Sequence, residues 1–333
     1  MPTVTASRRE FLAVAAGSTI LLRAADDHPA RRLEGIFPIM QTPFTEAGSV
    51  DLGTLAREVQ FLHRMGVQGM TWPQLASEWP ALTFDERLAG AETIVRVNRE
   101  NREDRENDVA RPAVVIGVQA PDIDTAVKYA RHADKLSPDA IIAIPLEGGK
   151  DDAKQMEYYT AIGAACRAPL IIQTIGQMSV EMVLRMAERI PTLRYAKDEA
   201  GVTLPRLNEY RKRGQILHGV FTGKHGPNFV DDLARGAVGN MPAAGFADLY
   251  VATWSAWKAG KQDEAMEAFS KTLLLIADAQ AYGVEGQKYI LQLRGVFPNT
   301  KCRGKAGATT VFDDDAKEAI RRTVGYAKRW FKS

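Results

Sequence analysis

From residue 33 onward, apolar runs of strand length alternate with helical patterns, and this alternation limits the possible folds more than any other feature. Eight runs and eight helical patterns share about 230 residues. Strands that alternate with helices form parallel sheets, and eight such units are the count of a closed (β/α)8 barrel. The apolar runs are Gly35–Met40, Gly69–Thr71, Ala113–Val118, Ala140–Ile144, Leu170–Thr174, Leu193–Lys197, Ile216–Phe221 and Ala237–Met241. The helical patterns are Leu52–Met65, Phe84–Val97, Ile123–Lys135, Ala153–Cys166, Val180–Arg189, Leu204–Arg213, Pro227–Arg235 and Ala247–Ala259.

An open, doubly wound sheet is the competing fold. Such a sheet usually has fewer strands and a glycine-rich phosphate turn after the first one. Here the first turn reads Gln-Thr-Pro-Phe over 41–44 and contains no glycine. We therefore predict an α/β fold, a (β/α)8 TIM barrel over 34–260. A C-terminal helical extension over 261–333 should follow, with helical stretches at Gln262–Ala277, Glu285–Leu293 and Asp314–Trp330.

The first 30 residues have the pattern of an export signal. A pair of arginines, Arg8 and Arg9, precedes a short run of small and apolar residues over 13–22. This pattern resembles a bacterial twin-arginine signal, which predicts a periplasmic protein. The apolar run is roughly half the length of a membrane-spanning helix, so we expect no stable membrane anchor. The alternative is a basic N-terminal helix on a cytoplasmic protein.

Composition excludes several classes of partner and cofactor. The formal net charge is +2, which favours neither nucleic acid nor an anionic membrane as partner. Two cysteines, Cys166 and Cys302, and five histidines are scattered without the spacing of metal ligands. We expect no metal site and no other cofactor, and a small molecule as the substrate.

Lys197 closes the apolar run that begins at Leu193. Burial of an amine depresses its pKa, and a neutral amine attacks carbonyl groups. In a barrel, the carboxyl ends of the strands hold the chemistry. The residues at these ends offer one central lysine, one or two carboxylates and no metal cluster, which suits an imine mechanism better than metal-assisted hydrolysis. The set expected to line one pocket includes Ala76, Ser77, Glu78, Glu147, Gln173, Lys197, Gly223, Lys224, His225 and Met241.

Several motifs, in order, resemble those of one enzyme family. The segments are Gly35–Phe44, Leu82–Arg87, Ala196–Gly201, Val220–Gly223 and Gly236–Gly239. The chain from about residue 34 to its end resembles the dihydrodipicolinate synthase / N-acetylneuraminate lyase family of class I lyases. The resemblance implies a TIM barrel, a Schiff base on Lys197, a 2-oxo acid substrate and a homo-oligomer, commonly a tetramer.

The chain also departs from this family's pattern. The family turn that holds the substrate carboxylate corresponds to Gln74–Glu78, where Ser77 and backbone N–H groups would take over that role. The family's catalytic tyrosine corresponds to Gln173, whose amide has no usable pKa for proton transfer. A second tyrosine after the fourth strand and an arginine clamp after the fifth are absent. We therefore predict Glu147, or else Glu78, as a general base with a pKa raised by burial.

Three functions remain open on this sequence. The first is a Schiff-base lyase of aldolase or dehydratase type that is not a true dihydrodipicolinate synthase. The second is a non-catalytic or ligand-binding barrel. The third is a different barrel enzyme in which Lys197 only forms an ion pair with Asp198 or Glu199. Local alternatives also remain. Glu147 precedes Gly148-Gly149-Lys150 and could be an exposed charge, Glu78 could bond the loop backbone, and Trp72 and Trp79 could be either pocket walls or packing.

Overall fold

The computed structural model describes residues 31–101, 111–304 and 310–332. The predicted signal over 1–30 lies outside the described residues, and its export role stays a prediction. Within the described residues, no helix combines the length and the apolar character that crossing a bilayer requires.

Eight parallel strands form one sheet, in the order β1-β8-β7-β6-β5-β4-β3-β2. A parallel bridge between Ile39 and Thr71 links the two ends of this order, which closes the ring. The predicted (β/α)8 barrel is confirmed. The strands are β1 Gly35–Ile36, β2 Gly69–Trp72, β3 Ala113–Gly117, β4 Ala140–Ala143, β5 Leu170–Thr174, β6 Leu193–Asp198, β7 Gly219–Thr222 and β8 Gly239–Asn240.

A helix follows each strand, and two more helices follow the barrel. Several begin where the sequence predicts: Thr83 and Glu86 form a reciprocal capping box, and Asp51, Asp122 and Ser179 each accept a backbone N–H. The helices are α1 Leu52–Met65, α2 Phe84–Glu100, α3 Ile123–Leu136, α4 Asp152–Ala165, α5 Val180–Arg189, α6 Thr203–Lys212, α7 Phe229–Ala234, α8 Ala247–Lys258, α9 Gln262–Leu293 and α10 Asp314–Ala327.

Several elements differ from the prediction. The strands β7 and β8 begin two or three residues later than expected, and β8 also ends one residue earlier. The first strand is shorter than expected, because Pro38 has no N–H to continue the ladder. The two predicted stretches over 262–277 and 285–293 are parts of one helix, α9. Gly283 interrupts it with φ 58° and ψ −147°, a conformation open to glycine, and the helix changes direction there.

Strand residues divide between two buried clusters according to the strand period. One set packs against the surrounding helices, whereas the alternate set forms a separate cluster that includes Val115, Ile142, Ile171 and Tyr195. Since side chains alternate along a strand, the second set fills the barrel interior. Lys197 is two residues beyond Tyr195 and therefore shares this interior face. It lies closer to the carboxyl end of its strand than the apolar side chains that fill the interior.

Candidate active site

Lys197 lies at the carboxyl end of β6, paired with Gln173 of β5 and Phe221 of β7. Its side chain is only 5% exposed. It faces a cavity of about 140 Å³ in the mouth of the barrel. Of the residues predicted for the pocket, Ala76, Gln173, Lys197, Lys224, His225 and Met241 line this cavity.

Glu199 is the carboxylate nearest to Lys197, at 3.3 Å between Oε1 and Nζ. Its Oε1 also accepts the backbone N–H of Lys224 at 2.8 Å, and its Oε2 accepts the Gln173 amide at 2.5 Å. Burial raises the pKa of Glu199, but the Lys197 charge and these hydrogen bonds outweigh it and hold the pKa below its usual value. The two side chains form an ion pair that borders the small cavity.

Asp198 points away from Lys197 and fastens the end of β6 to its neighbours. It forms a bidentate ion pair with Arg206 of α6, at 2.7 and 2.8 Å, and accepts the Thr174 hydroxyl at 2.8 Å. The Thr174 hydroxyl accepts the backbone N–H of Glu199 in turn, at 3.0 Å. Because Asp198 is fully buried and fully engaged, it fixes the backbone that carries both Lys197 and Glu199.

His225 lines the cavity beside this pair. Burial lowers the pKa of His225 to about 4, and the Lys197 charge adds to the effect while Glu199 opposes it. The imidazole is therefore neutral near pH 7. Its Nδ1 is buried and makes no hydrogen bond within the described residues, and Oε1 of Gln173 is in the same situation. Both atoms are available to a bound molecule.

In the turn after β2, the hydroxyl group that was expected to bind substrate forms hydrogen bonds within the protein instead. The Ser77 hydroxyl donates to the Met40 carbonyl at 2.5 Å and accepts the Gln74 backbone N–H at 3.0 Å. Ser77 is fully buried and does not line the cavity. Its predicted substrate-binding role is therefore replaced by a structural one, whereas its neighbour Ala76 does border the cavity.

Glu78 is also structural, which was the alternative that the sequence left open. Its carboxylate lies 2.5 Å from Nζ of Lys288, and neither side chain is exposed beyond 1%. Its other oxygen accepts the backbone N–H groups of Arg303 and Gly304, each at 2.7 Å. These partners satisfy the carboxylate, so a role as general base does not fit.

The predicted general base Glu147 is corrected by the structure. It lies in a one-turn 3-10 helix, Leu146–Gly149, with a left-handed φ of 46°. Its side chain is 69% exposed and faces Lys154 at 3.5 Å. The predicted burial is absent, and Glu147 does not line the Lys197 cavity.

Two further residues take positions that the sequence did not indicate. Gly223 lies against Glu199: a Cβ at this position would come 1.8 Å from Oε1. Trp72 is fully buried, donates to the Thr42 hydroxyl and packs on Gly90. Neither Trp72 nor Trp79 lines the cavity, so the wall role considered for them is not observed.

Glu199 is the main residue that the sequence analysis missed as a site residue, although a signal for it existed. Side chains two apart along a strand share a face. A carboxylate two residues beyond Lys197 therefore follows it toward the barrel axis, whereas Asp198 between them faces the helices.

Comparisons with known proteins show relatives in sequence and in fold. The chain is 26% identical over 282 residues to the L-2-keto-3-deoxyarabonate dehydratase of Azospirillum brasilense, covering 82% of this chain and 88% of that protein. The dihydrodipicolinate synthase structure from Rhodopseudomonas palustris superposes with a TM-score of 0.76 at 22% identity, covering 88% of this chain and 97% of that one. N-acetylneuraminate lyase from Mycoplasma synoviae gives 0.75 at 20% identity, with 90% and 99% covered.

A family-level match extends over nearly the whole described barrel and its extension. The sequence profile of the dihydrodipicolinate synthetase family matches residues 32–324. The match confirms the family that the motifs predict, and lyases of aldolase and dehydratase type are the activities found among its members. By this match over residues 32–324, and in agreement with its fold, the chain belongs to the dihydrodipicolinate synthetase family.

Proposed function

We propose that this chain is a Schiff-base-forming lyase, of aldolase or dehydratase type, that acts on a 2-oxo acid. The observation that carries the proposal is the buried pair of Lys197 and Glu199, 3.3 Å apart in the barrel mouth. Lysine supplies the nucleophile, and the carboxylate beside it supplies the proton transfer that an imine mechanism needs. The relatives' printed activities, a sugar-acid dehydratase and a sialic acid lyase, are consistent with this class.

The chemistry has one common beginning and two possible continuations. The Lys197 amine adds to the C2 carbonyl, and loss of water leaves an iminium. In an aldolase, the C4 hydroxyl loses its proton and the C3–C4 bonding pair flows into the iminium, which releases an aldehyde and leaves an enamine. A proton added at C3 then restores the iminium. In a dehydratase, C3 loses a proton and the C4 hydroxyl leaves as water. Hydrolysis of the imine then frees Lys197 in both cases.

Glu199 is the proton carrier in this account. With a charged nitrogen at 3.3 Å, its pKa lies below the usual value. In the neutral carbinolamine and enamine stages that attraction disappears, so burial dominates and raises the pKa of the carboxyl. Glu199 therefore takes up a proton when the nitrogen is neutral and returns it when the nitrogen is charged. Gln173 holds Oε2 of Glu199 and takes no proton itself.

Trapping with borohydride tests the proposal. Reduction in the presence of pyruvate should add one 1-carboxyethyl group to the intact protein, because hydride converts the imine into a stable secondary amine. Lys197→Ala should add none while it keeps the same circular dichroism spectrum. A wild type that gains no mass with any of a panel of 2-oxo acids would instead support a non-catalytic, ligand-binding barrel.

The role of Glu199 has its own test. Glu199→Gln should lower kcat by about 10²- to 10⁴-fold, the usual effect of removing a general acid–base group. The matched control is Glu209→Gln on the exposed side of α6, which should leave kcat unchanged. A kcat of Glu199→Gln within threefold of the wild type would remove Glu199 from the mechanism.

We also propose that the chain does not carry dihydrodipicolinate synthase activity. Gln173 stands where the resemblance places the family tyrosine, and the cavity around Lys197 is lined by no arginine among the described residues. A second carboxylate in the substrate would therefore find no arginine to bind it in this cavity. Robust condensation of pyruvate with aspartate semialdehyde by the purified protein would contradict this.

Export and assembly belong to the proposal as well. The arginine pair at 8 and 9 supports export to the periplasm, and Arg8→Lys with Arg9→Lys should hold the precursor in the cytoplasm. Family resemblance supports a homotetramer. Light scattering that gives a clean monomer at micromolar concentration would reject the tetramer, and an uncleaved wild type in the cytoplasm would reject export.

A further inference from the structure

The small cavity around Lys197 adjoins a much larger one. The inner cavity measures about 140 Å³, and the outer about 760 Å³. Leu75, Ala76, Lys224, His225 and Gln287 line both, so the two meet at this shared wall. The inner cavity has the room of about four or five waters, at about 30 Å³ each, which suits a three- or four-carbon oxo-acid head. Whatever continues from that head must occupy the outer cavity.

The walls of the outer cavity are largely apolar. Leu75, Pro80 and Ala81, from the turn after β2, form one side. Ala279 and Val284 of α9 form the other, on either side of the break at Gly283. Leu75 is a large apolar side chain that stands 46% exposed in this opening, although leucine is usually covered.

The polar groups in these walls are mostly engaged within the protein. Glu78 is held by Lys288. The Gln287 side-chain oxygen accepts the Gln41 amide at 3.2 Å. Nζ of Lys224 donates to the Gly201 carbonyl at 3.0 Å. Gln280 stands exposed at the rim and His225 at the junction with the inner cavity. A substrate tail with several hydroxyl groups would lose hydration here and find few partners.

We propose that the substrate is a 4-hydroxy-2-oxo acid whose C4 carries an apolar group, aryl or branched alkyl, seated in the outer cavity against Leu75 and Val284. This inference rests on the proposed Schiff-base function and names its substrate class. An apolar tail gains by covering Leu75 and the α9 wall, whereas the tail of a sugar acid does not. The dehydratase relative acts, by its name, on a sugar acid, so this chain would differ from it in the outer part of the site.

Borohydride labelling measures the preference without requiring turnover. The probes are 2-oxo-4-phenylbutanoate, with an apolar tail, and 4,5-dihydroxy-2-oxopentanoate, with a polar one. The concentration that gives half-maximal labelling of the wild type should be at least about tenfold lower for the phenyl compound, as expected from burying an aromatic ring. Equal concentrations, a lower one for the dihydroxy compound, or no labelling by the phenyl compound would overturn the inference.

Pyruvate separates failure of this inference from failure of the proposed function. If pyruvate labels the protein and the polar probe is preferred, only the substrate class is wrong. If pyruvate does not label it, the Schiff-base function fails and this inference fails with it.

Two variants test whether the preference for the phenyl compound arises in the outer cavity. Leu75→Gln places an amide in the outer cavity and should reduce the preference for the phenyl compound about tenfold. Leu273→Gln is the matched control, since Leu273 is a similarly exposed leucine, at 41%, that does not line either cavity. Leu273→Gln should keep the wild-type preference. An unchanged preference in Leu75→Gln would contradict the proposed seat of the tail.

Discussion

Gly223 shows how a single residue type sets the geometry of the site. The Glu199 carboxylate occupies the space in which any other residue at 223 would place its Cβ. The carboxylate reaches Lys197, Gln173 and the Lys224 N–H only because this space is free. Gly223 was predicted as a pocket-lining residue, but its contribution is to leave room for the proton carrier.

Gly223→Ala should therefore reduce activity without unfolding the barrel. The new methyl group, 1.8 Å from Oε1, must push Glu199 away from Lys197. We expect a loss of at least tenfold in kcat and a cost of about 1–3 kcal/mol in the free energy of unfolding. Gly325→Ala in α10 is the control: apart from its own helix backbone, no atom of the described residues lies within 4 Å of the new Cβ, so helix propensity should stabilise the variant by about 0.5–1 kcal/mol. Full activity in Gly223→Ala would contradict the positioning of Glu199.

At the scale of elements, a buried ion pair joins the turn after β2 to α9. Glu78 and Lys288 are 210 residues apart in sequence and 2.5 Å apart in the fold. Lys288 also donates to the Lys301 carbonyl at 2.6 Å and lies over the Phe44 ring. The pair therefore ties α9, which lines both cavities through Gln287, to the turn after β2.

Removing the charge of only one partner of this ion pair should lower the free energy of unfolding. Glu78→Gln leaves the Lys288 charge buried, so we expect the free energy of unfolding to fall by about 3–5 kcal/mol in a denaturant titration. The double variant Glu78→Gln with Lys288→Met removes the stranded charge and should recover most of the loss. A single variant within 1 kcal/mol of the wild type would mean that the pair contributes little.

The buried carboxyl of Asp232 links α7 to β7 and β8, and it makes the free energy of unfolding depend on pH. Asp232 accepts the Thr222 hydroxyl at 2.9 Å, and Asn240 donates to the same hydroxyl at 2.8 Å. Burial raises the pKa of Asp232 from 3.8 to about 6. Between these values the native state holds a proton that the unfolded state has lost. The free energy of unfolding therefore falls as pH rises from about 4 to 6. Above about pH 6 the destabilisation by the buried Asp232 charge keeps its full value.

Asp232→Asn should remove this dependence. The gain of the variant over the wild type should be small near pH 4 and reach on the order of 2–3 kcal/mol at pH 7. Denaturant titrations at the two pH values measure it. Asp263→Asn, at an exposed position in the first turn of α9, is the control and should change stability by no more than ~1 kcal/mol at either pH. A gain that is the same at both pH values would show that Asp232 is not a protonated buried group.

At the scale of the whole molecule, the barrel and Lys197 could be predicted because both depend on short-range patterns. Alternating strand and helix signals fix the fold, and a lysine that ends a strand falls on the catalytic face. Contacts between distant segments could not be predicted: nothing near Glu78 indicates Lys288. Glu147 was wrong as a buried base because its exposure depends on the left-handed backbone of one short turn. Glu199 could have been predicted as a site residue, because side chains two residues apart along a strand share a face.

The central claim is that Lys197 itself forms the imine, and locating the label on one peptide tests it most directly. After borohydride reduction with pyruvate and proteolysis, mass spectrometry should place the added 1-carboxyethyl group on the peptide that contains Lys197. Lys197→Arg should carry none, because guanidinium stays protonated and does not attack carbonyls. A label on Lys224, which lines the same cavity, or no label on any lysine would contradict the account.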